Sequence, residues 1–113
     1  MNSEEQILFE LLKAGDEKAY GILYKKHYAI LCHFANFYLH DRFLAESVVE
    51  DVIFHLWENR EGLNITKSIR SYLVMAVRNK CLDTLKLKRN QTEKPISTLS
   101  DKAGYYMDSQ TAG

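Results

Sequence analysis

Apolar residues recur at intervals of three and four positions through most of residues 3–89, a spacing typical of amphipathic α-helices. Short polar or glycine-containing stretches divide the pattern into four segments, at about residues 3–14, 17–39, 42–58 and 67–89. Because these stretches are short, consecutive helices should lie side by side and run in opposite directions. The pattern therefore predicts an all-α fold, a compact antiparallel bundle of four helices followed by a polar tail.

Residues that favour helix ends stand at the boundaries of these segments. A serine, threonine, aspartate or asparagine before a helix accepts hydrogen bonds from the free N–H groups of its first turn. Gly15 should end the first helix, because glycine readily adopts the left-handed conformation that follows a helix C-terminus. The predicted N-caps are Ser3, which has capping-box spacing with Gln6, then Asp16, Asp41, and either Thr66 or Ser68.

One face of each predicted helix is apolar, and these four faces should form the core. The predicted core residues are Ile7, Leu8, Leu11 and Leu12 in the first helix, and Ala19, Tyr20, Leu23, Tyr24, Tyr28, Leu31, Ala35 and Tyr38 in the second. In the third they are Ala45, Val49, Val52, Ile53 and Leu56, with Leu44 and Val48 beside them, and in the fourth Ile69, Leu73, Ala76, Val77, Cys81 and Leu85.

The helical pattern is lost after residue 90. Residues 91–113 are mostly polar, contain Pro95 and keep only scattered apolar residues. Such a segment buries too little apolar surface to offset the entropy lost on ordering it. We therefore expect one helical domain at residues 1–90 and a linker or disordered tail at residues 91–113.

The 15 basic and 15 acidic residues balance over the 113-residue chain, but they are unevenly distributed. Residues 1–63 contain 6 Lys and Arg against 11 Asp and Glu, a net charge of −5. Residues 64–90 contain 7 Lys and Arg and a single acid, Asp83, a net charge of +6. So dense a basic segment suits a polyanion such as nucleic acid. From charge alone, a solvated basic face without a partner explains it equally well.

Residue patterns for catalysis or metal binding are scarce in this sequence. The four histidines show no metal-ligand spacing with carboxylates, and Cys32 and Cys81 lack CxxC spacing. We expect both cysteines to be buried reduced thiols, with no metal and no other cofactor. The sequence contains neither a phosphate-binding glycine loop nor a nucleophile motif, so no motif supports an enzyme.

The N-terminus is acidic and has no apolar leader segment, and no apolar run reaches the ~18 residues of a membrane helix. These features, with the reduced cysteines, predict a cytoplasmic protein that does not insert into a membrane.

Three segments together resemble region 2 of bacterial sigma factors, specifically of the extracytoplasmic-function (ECF) group. Residues 45–57, AESVVEDVIFHLW, resemble the helix that reads A-E-D-x-x-Q-D-x-F-x-x-[LV]-W in that group. Residues 69–86, IRSYLVMAVRNKCLDTLK, resemble its L-R-x-W-L-x-x-I-A-R-N-x-x-[LI]-D-x-x-R, and residues 19–28, AYGILYKKHY, resemble its A-F-x-x-L-Y-x-x-Y-like opening. The resemblance spans about residues 8–89, and the order and spacing of the three segments make it specific.

The resemblance implies that the third helix docks on the clamp helices of the β′ subunit of core RNA polymerase. Ser47 stands where the family usually has Asp, and Glu50 where it usually has Gln, so the helix stays acidic while individual hydrogen bonds change. Tyr72 replaces a family Trp, which keeps an aromatic ring and adds a hydroxyl that needs a partner. The implied polymerase-binding residues are Glu46, Ser47, Glu50 and Asp51.

The resemblance also assigns the fourth helix, and the loop before it, to the −10 promoter element, where sigma factors help to melt DNA. Melted DNA exposes bases that a protein can enclose while it holds the phosphates. The polar loop at residues 59–64 should form a base pocket, to which Asn64 offers hydrogen-bonding groups. The other implied DNA-binding residues are Lys67, Arg70, Arg78 and Lys80 for the non-template strand, Asn79 for the melted edge, and Lys86, Lys88 and Arg89 for the upstream duplex backbone.

Several of these residues have simpler explanations. The basic residues at 86–89 also suit a helix C-terminus, where cations complement the helix dipole. Trp57 and Tyr72 also suit the edge of the core, and Asn79 suits an exposed helix face. Asp83 suits a side-chain pair along the same helix, with Asn79, Lys80 or Lys86. For the whole chain, the main alternative is a helical protein–protein interaction module, a sigma mimic or regulator that does not use DNA. A helical enzyme subunit is a more remote alternative, which a deep pocket with convergent polar groups would support.

Two further expectations follow from the resemblance. Sigma factors of this group are often held inactive by an anti-sigma factor, so such a partner fits this chain too. They also carry a second, helix-turn-helix domain that reads the −35 element, and residues 91–113 have neither the length nor the apolar pattern for it. We therefore expect the sequence to be a fragment that ends in the interdomain linker.

Overall fold

Helices form in the predicted order in the computed structural model, which describes residues 1–92. The elements are α1 (Ser3–Lys13), α2 (Glu17–Leu39), α3 (Arg42–Glu58), a 3₁₀ turn (Arg60–Gly62) and α4 (Ile69–Thr92). No strand occurs within residues 1–92, and the predicted all-α bundle of four helices is confirmed. From residue 93 onward, the predicted tail lies outside the described residues.

The N-cap of α1 is Asn2 and not the predicted Ser3. Asn2 has extended backbone angles, and its Oδ1 accepts a hydrogen bond from the backbone N–H of Glu5 at 2.8 Å. Gln6 does not complete a capping box, and its Nε2 instead donates to Glu10 Oε2 at 2.9 Å. Asparagine and serine are equally good N-caps, so the sequence pattern did not separate two adjacent candidates.

The remaining N-caps lie where the sequence places them. Asp16 accepts two hydrogen bonds from backbone N–H groups in the first turn of α2. Asp41 Oδ1 accepts one from the N–H of Leu44 at 3.0 Å, at the start of α3. Of the two candidates before α4, Ser68 is the cap, since its Oγ accepts from the N–H of Ser71 at 3.0 Å.

Left-handed backbone conformations mark the ends of α1 and α2. Gly15 follows α1 as predicted, with a φ of 91°, and its N–H donates to the carbonyl of Leu12 at 3.0 Å. His40 follows α2 with a φ of 50°, and its N–H donates to the carbonyl of Asn36 at 2.8 Å. Because position 40 is a histidine and not a glycine, the sequence did not predict a left-handed conformation there.

The core contains one buried face from each of α2, α3 and α4. In α2 the buried residues recur every four positions, and His27 is among them, whereas the four tyrosines predicted for this face are half-buried. The predicted faces of α3 and α4 are largely confirmed, although Val52, Ala76 and Leu85 are half-buried. The buried residues of these helices are Ala19, Leu23, His27, Leu31, Ala35 and Leu39 in α2, Ala45, Val48, Val49, Ile53 and Leu56 in α3, and Ile69, Leu73, Val77 and Cys81 in α4.

The buried face of α1 differs from the predicted one. Phe9 and Leu12 are buried, whereas Ile7 is 61% exposed and Leu11 is 43% exposed. The helix packs against α2 and the 3₁₀ turn, and these neighbours meet the side on which Phe9 and Leu12 lie. Both faces of α1 are apolar, so the sequence could not decide which of them enters the core.

The chain divides into two units, Met1–Asp83 and Thr84–Gly113. The first unit contains α1, α2, α3, the 3₁₀ turn and the larger part of α4, and the described part of the second is the last segment of α4, residues 84–92. Among the described residues, no helix is long and apolar enough to cross a membrane.

The two cysteines are both free, but they differ in exposure. Cys81 is fully buried and its Sγ lies 4.0 Å from the carbonyl oxygen of Ala35, which ties α4 to α2. Cys32 is only half-buried, so the prediction of two buried thiols is wrong for Cys32. It lies beside the buried stripe of α2 and not on it, because that stripe follows a strict four-residue spacing through Leu31 and Ala35.

Candidate nucleic-acid and polymerase interface

The loop between α3 and α4 is held to the core by two apolar residues. Leu63 and Ile65 are buried, whereas Asn64, Thr66 and Lys67 are exposed. The alternation directs polar groups outward from a fixed backbone. Lys67 lies in this loop, because α4 begins only at Ile69, whereas the sequence pattern predicted Lys67 on the helix.

Arg60 fixes the 3₁₀ turn against the end of α3. Its Nη1 donates to the carbonyl of Trp57 at 2.9 Å, and its guanidinium lies 4.2 Å from the centre of the Trp57 ring. Trp57 in turn packs on Tyr20, with 4.7 Å between ring centres. The Trp57 ring thus serves at the edge of the core, and it anchors the turn through a cation–π contact.

A concave surface, which encloses a volume of about 610 Å³, lies along this turn. Tyr72 of α4, 39% exposed, forms one wall, and residues from Glu58 to Leu63 form the rest. This is the region where the sequence predicted a base pocket, but Asn64 is not among its lining residues. Tyr72, absent from the predicted site residues, does line it, and its position as the aromatic residue replacing a family Trp was the signal available in the sequence.

A second groove, of about 600 Å³, lies between α3 and the part of α4 within the first unit. Asp51 lines it from α3, and Asn79 and Lys80 line it from α4. Tyr72 borders both this groove and the loop surface. The structure thus brings together a residue predicted for polymerase and two predicted for DNA. The other residues that line the groove are Val52, Phe54, His55, Leu56, Glu58, Ala76 and Asp83.

The acidic side of α3 is largely open to solvent. Ser47, Glu50 and Asp51 are exposed, and Glu46 is half-buried. The hydroxyl of Tyr28 donates to Glu50 Oε2 at 3.1 Å. Burial raises the pKa of Tyr28, as do its hydrogen bonds with Cys32 and with Glu50, so the phenol stays protonated and remains a donor. The bond thereby holds the Glu50 side chain in place at the surface.

The predicted DNA-binding residues of α4 differ in their surroundings. Arg78, Asn79 and Lys80 are exposed on the part of the helix within the first unit. Lys86, Lys88 and Arg89 are exposed within the second unit, and Arg89 lies in the last turn, where it also suits the helix dipole. Arg70 is half-buried.

Arg70 contacts a residue that the sequence did not single out. Its Nε donates to Nδ1 of His27 at 2.8 Å, and His27 is only 2% exposed. Burial lowers the pKa of His27 to about 4, and the charges of Arg70 and Lys26 act in the same direction. His27 is therefore neutral at pH 7, with Nδ1 as the acceptor. Its place in the four-residue spacing between Leu23 and Leu31 was the signal that it is buried.

The start of α4 has a second contact, with α1. The backbone N–H of Ile69 donates to Glu5 Oε2 at 3.2 Å. Because the first N–H groups of a helix have no partner within it, a carboxylate in this position also complements the helix dipole. Among the described residues, no group of three or more His, Cys, Asp or Glu could hold a metal ion.

Comparison with known proteins identifies the family. The model of sigma-70 region 2 matches residues 23–91, which include most of α2, all of α3 and nearly all of α4. No curated protein matches the chain, and no solved structure matches it. The matched segment contains both grooves and every predicted site residue, and it covers more than half of the chain. The chain therefore belongs to the sigma-70 region 2 family, the domain with which transcription initiation factors bind RNA polymerase and help to melt promoter DNA.

Proposed function

We propose that this domain is region 2 of an ECF-type sigma factor, which binds the β′ clamp helices of core RNA polymerase and recognises and helps to melt the −10 element. The observation that carries the proposal is the groove between α3 and α4, where Asp51 lines one wall and Asn79 and Lys80 line the other. A contiguous acidic and basic surface suits a domain that must contact a protein and a melted strand at once. The same role places the protein in the cytoplasm, with the polymerase.

The DNA contact uses the loop and α4. A base turned out of the duplex would enter the concave surface beside the 3₁₀ turn and pack on the Tyr72 ring, as bases do on aromatic side chains. Asn64, Lys67, Arg70, Arg78, Asn79 and Lys80 would hold the non-template strand. Lys86, Lys88 and Arg89 would hold the backbone of the upstream duplex.

The polymerase contact uses the exposed side of α3. Glu46, Ser47, Glu50 and Asp51 occupy the positions that the family uses for docking, and three of the four are exposed. The bond from Tyr28 fixes the Glu50 carboxylate, which lowers the entropy lost when a partner binds it. An anti-sigma factor that covers this side would compete with the polymerase.

Charge reversal tests the polymerase contact. We expect Asp51→Arg to abolish co-purification of the chain with core polymerase, because it opposes the charge on which docking depends. Glu10→Arg, an equal change at an exposed site on α1, should leave co-purification unchanged. Equal retention of the wild type and Asp51→Arg would count against α3 as the docking helix.

A second pair of variants tests the DNA contact in the assembled polymerase complex. The probe is single-stranded DNA that the wild-type complex selects from a random-sequence library. Arg78→Glu and Lys86→Glu should weaken binding, whereas Lys25→Glu on exposed α2 surface should not. Unchanged binding in both reversals, with polymerase binding intact, would support the protein–protein interaction module instead.

A further inference from the structure

The first turn of α4 is fixed at two points by helices that precede it in the chain. Arg70 Nε donates to His27 of α2, and the Ile69 backbone N–H donates to Glu5 of α1. Neither partner belongs to the loop or to the two grooves. These bonds therefore set the position of the start of α4 independently of the residues that line the proposed DNA surface.

The His27–Arg70 bond uses only part of the guanidinium. Arginine has five N–H donors, and the contact with His27 occupies the single one on Nε. Arg70 remains partly exposed. A guanidinium held by Nε keeps its four terminal N–H groups in a fixed plane, which suits bidentate contact with a phosphate.

We propose that His27 is a positioning residue for DNA binding, which holds the Arg70 guanidinium at the start of α4 so that its terminal N–H groups meet a phosphate of the non-template strand. This inference rests on the proposed function. A free arginine side chain loses rotamer entropy when it binds, and the bond to His27 removes part of that loss in advance. His27 acts through Arg70 and touches no DNA itself.

A double-mutant cycle separates positioning from a general effect on folding. The full chain carries His27→Leu, Arg70→Met, or both, and binding to the selected single-stranded DNA is measured at a temperature where circular dichroism shows every variant folded. His27→Leu should weaken binding by up to about tenfold when Arg70 is present, because the freed guanidinium then loses its rotamer entropy on binding. In the Arg70→Met background the same change should weaken binding by less than about twofold. Equal effects of His27→Leu in both backgrounds would overturn the proposal.

Two further variants keep the proposal testable if His27→Leu does not fold. His27→Asn retains a side-chain oxygen near the position of Nδ1 and should keep most of the binding lost in His27→Leu. His33→Asn, at an exposed histidine of the same helix, should bind as the wild type does. If His27→Asn folds and binds as the wild type but Arg70→Met also binds as the wild type, the proposal is overturned.

The slope of log Kd against log salt shows which idea fails. Arg70→Met should reduce the slope by about 0.7, the value for one phosphate contact on a single strand. If Arg70→Met leaves the slope unchanged while Arg78→Glu still weakens binding, the positioning role is wrong and the proposed function stands. If neither change has an effect, the proposed function itself fails.

Discussion

At the scale of single residues, the pair His27 and Arg70 shows how the fold gives a charged side chain a partner from another helix. The sequence placed Arg70 among seven basic residues of the segment at 64–90, with nothing to distinguish it. In the folded chain, Arg70 donates a hydrogen bond of 2.8 Å to the buried His27. The guanidinium of Arg70 is thus held by a residue of α2, whereas that of Arg78 is exposed on α4. Two residues that look alike in the sequence therefore have different surroundings in the folded chain.

The buried histidine makes stability depend on pH. The pKa of His27 is about 4 in the folded chain and about 6.5 in an unfolded one, so between these values the unfolded state binds a proton that the folded state does not. Its contribution is fully present above about pH 6.5 and is lost as the pH falls towards 4. We expect the free energy of unfolding, measured with urea, to fall faster in the wild type than in His27→Asn as the pH is lowered from 6.5 to 4. The difference in slope should be about 1 kcal/mol per pH unit. Parallel pH profiles for the two proteins would contradict this assignment.

At the scale of elements, the ends of the helices are better defined by sequence than their buried faces. Asp16, Asp41 and Ser68 cap the predicted helices because a local side-chain bond is enough to fix a boundary. The buried face of α1 was mispredicted because it depends on how α2 and the 3₁₀ turn pack against the helix, which the periodicity of α1 itself does not show. Boundaries are local properties, whereas burial depends on partners.

Two glycines offer a matched test of this local control. Gly15 has a φ of 91°, so Gly15→Ala should destabilise the chain by about 1 kcal/mol, since a Cβ is strained there. Gly21 lies inside α2, where a Cβ would meet nothing within 4 Å, so Gly21→Ala should stabilise the chain by up to ~1 kcal/mol. Thermal unfolding followed by circular dichroism measures both, and shifts of the same sign would show that local backbone conformation does not decide them.

At the scale of the whole molecule, a chain of zero net charge carries its acidic and basic residues in separate stretches, with −5 over residues 1–63 and +6 over residues 64–90. Asp51 of α3 and Lys80 of α4 line the same groove. Binding to DNA should depend on the local basic surface, and hence on the number of phosphates that it contacts.

That dependence is measurable as a salt slope for the selected single-stranded DNA. Each phosphate contact contributes about 0.7 to the slope of log Kd against log salt. Arg78→Gln should lower the slope by about that amount and weaken binding similarly across DNA sequences. Lys25→Gln, which removes one charge from α2, should leave it unchanged. An equal fall in both variants would indicate a response to net charge and not to a contact.

The amino-acid sequence by itself determined the helical class, the number and order of helices, three of the four N-caps and the family resemblance, because periodicity, capping and motif spacing are properties of neighbouring residues. It also located the loop surface, through the polar residues at 59–64. Only the tertiary structure decided that His27 is buried against Arg70, that Phe9 and not Ile7 enters the core, and that Tyr72 and not Asn64 lines the concave surface. Each of these depends on residues brought together from different helices, whose mutual packing no single segment encodes.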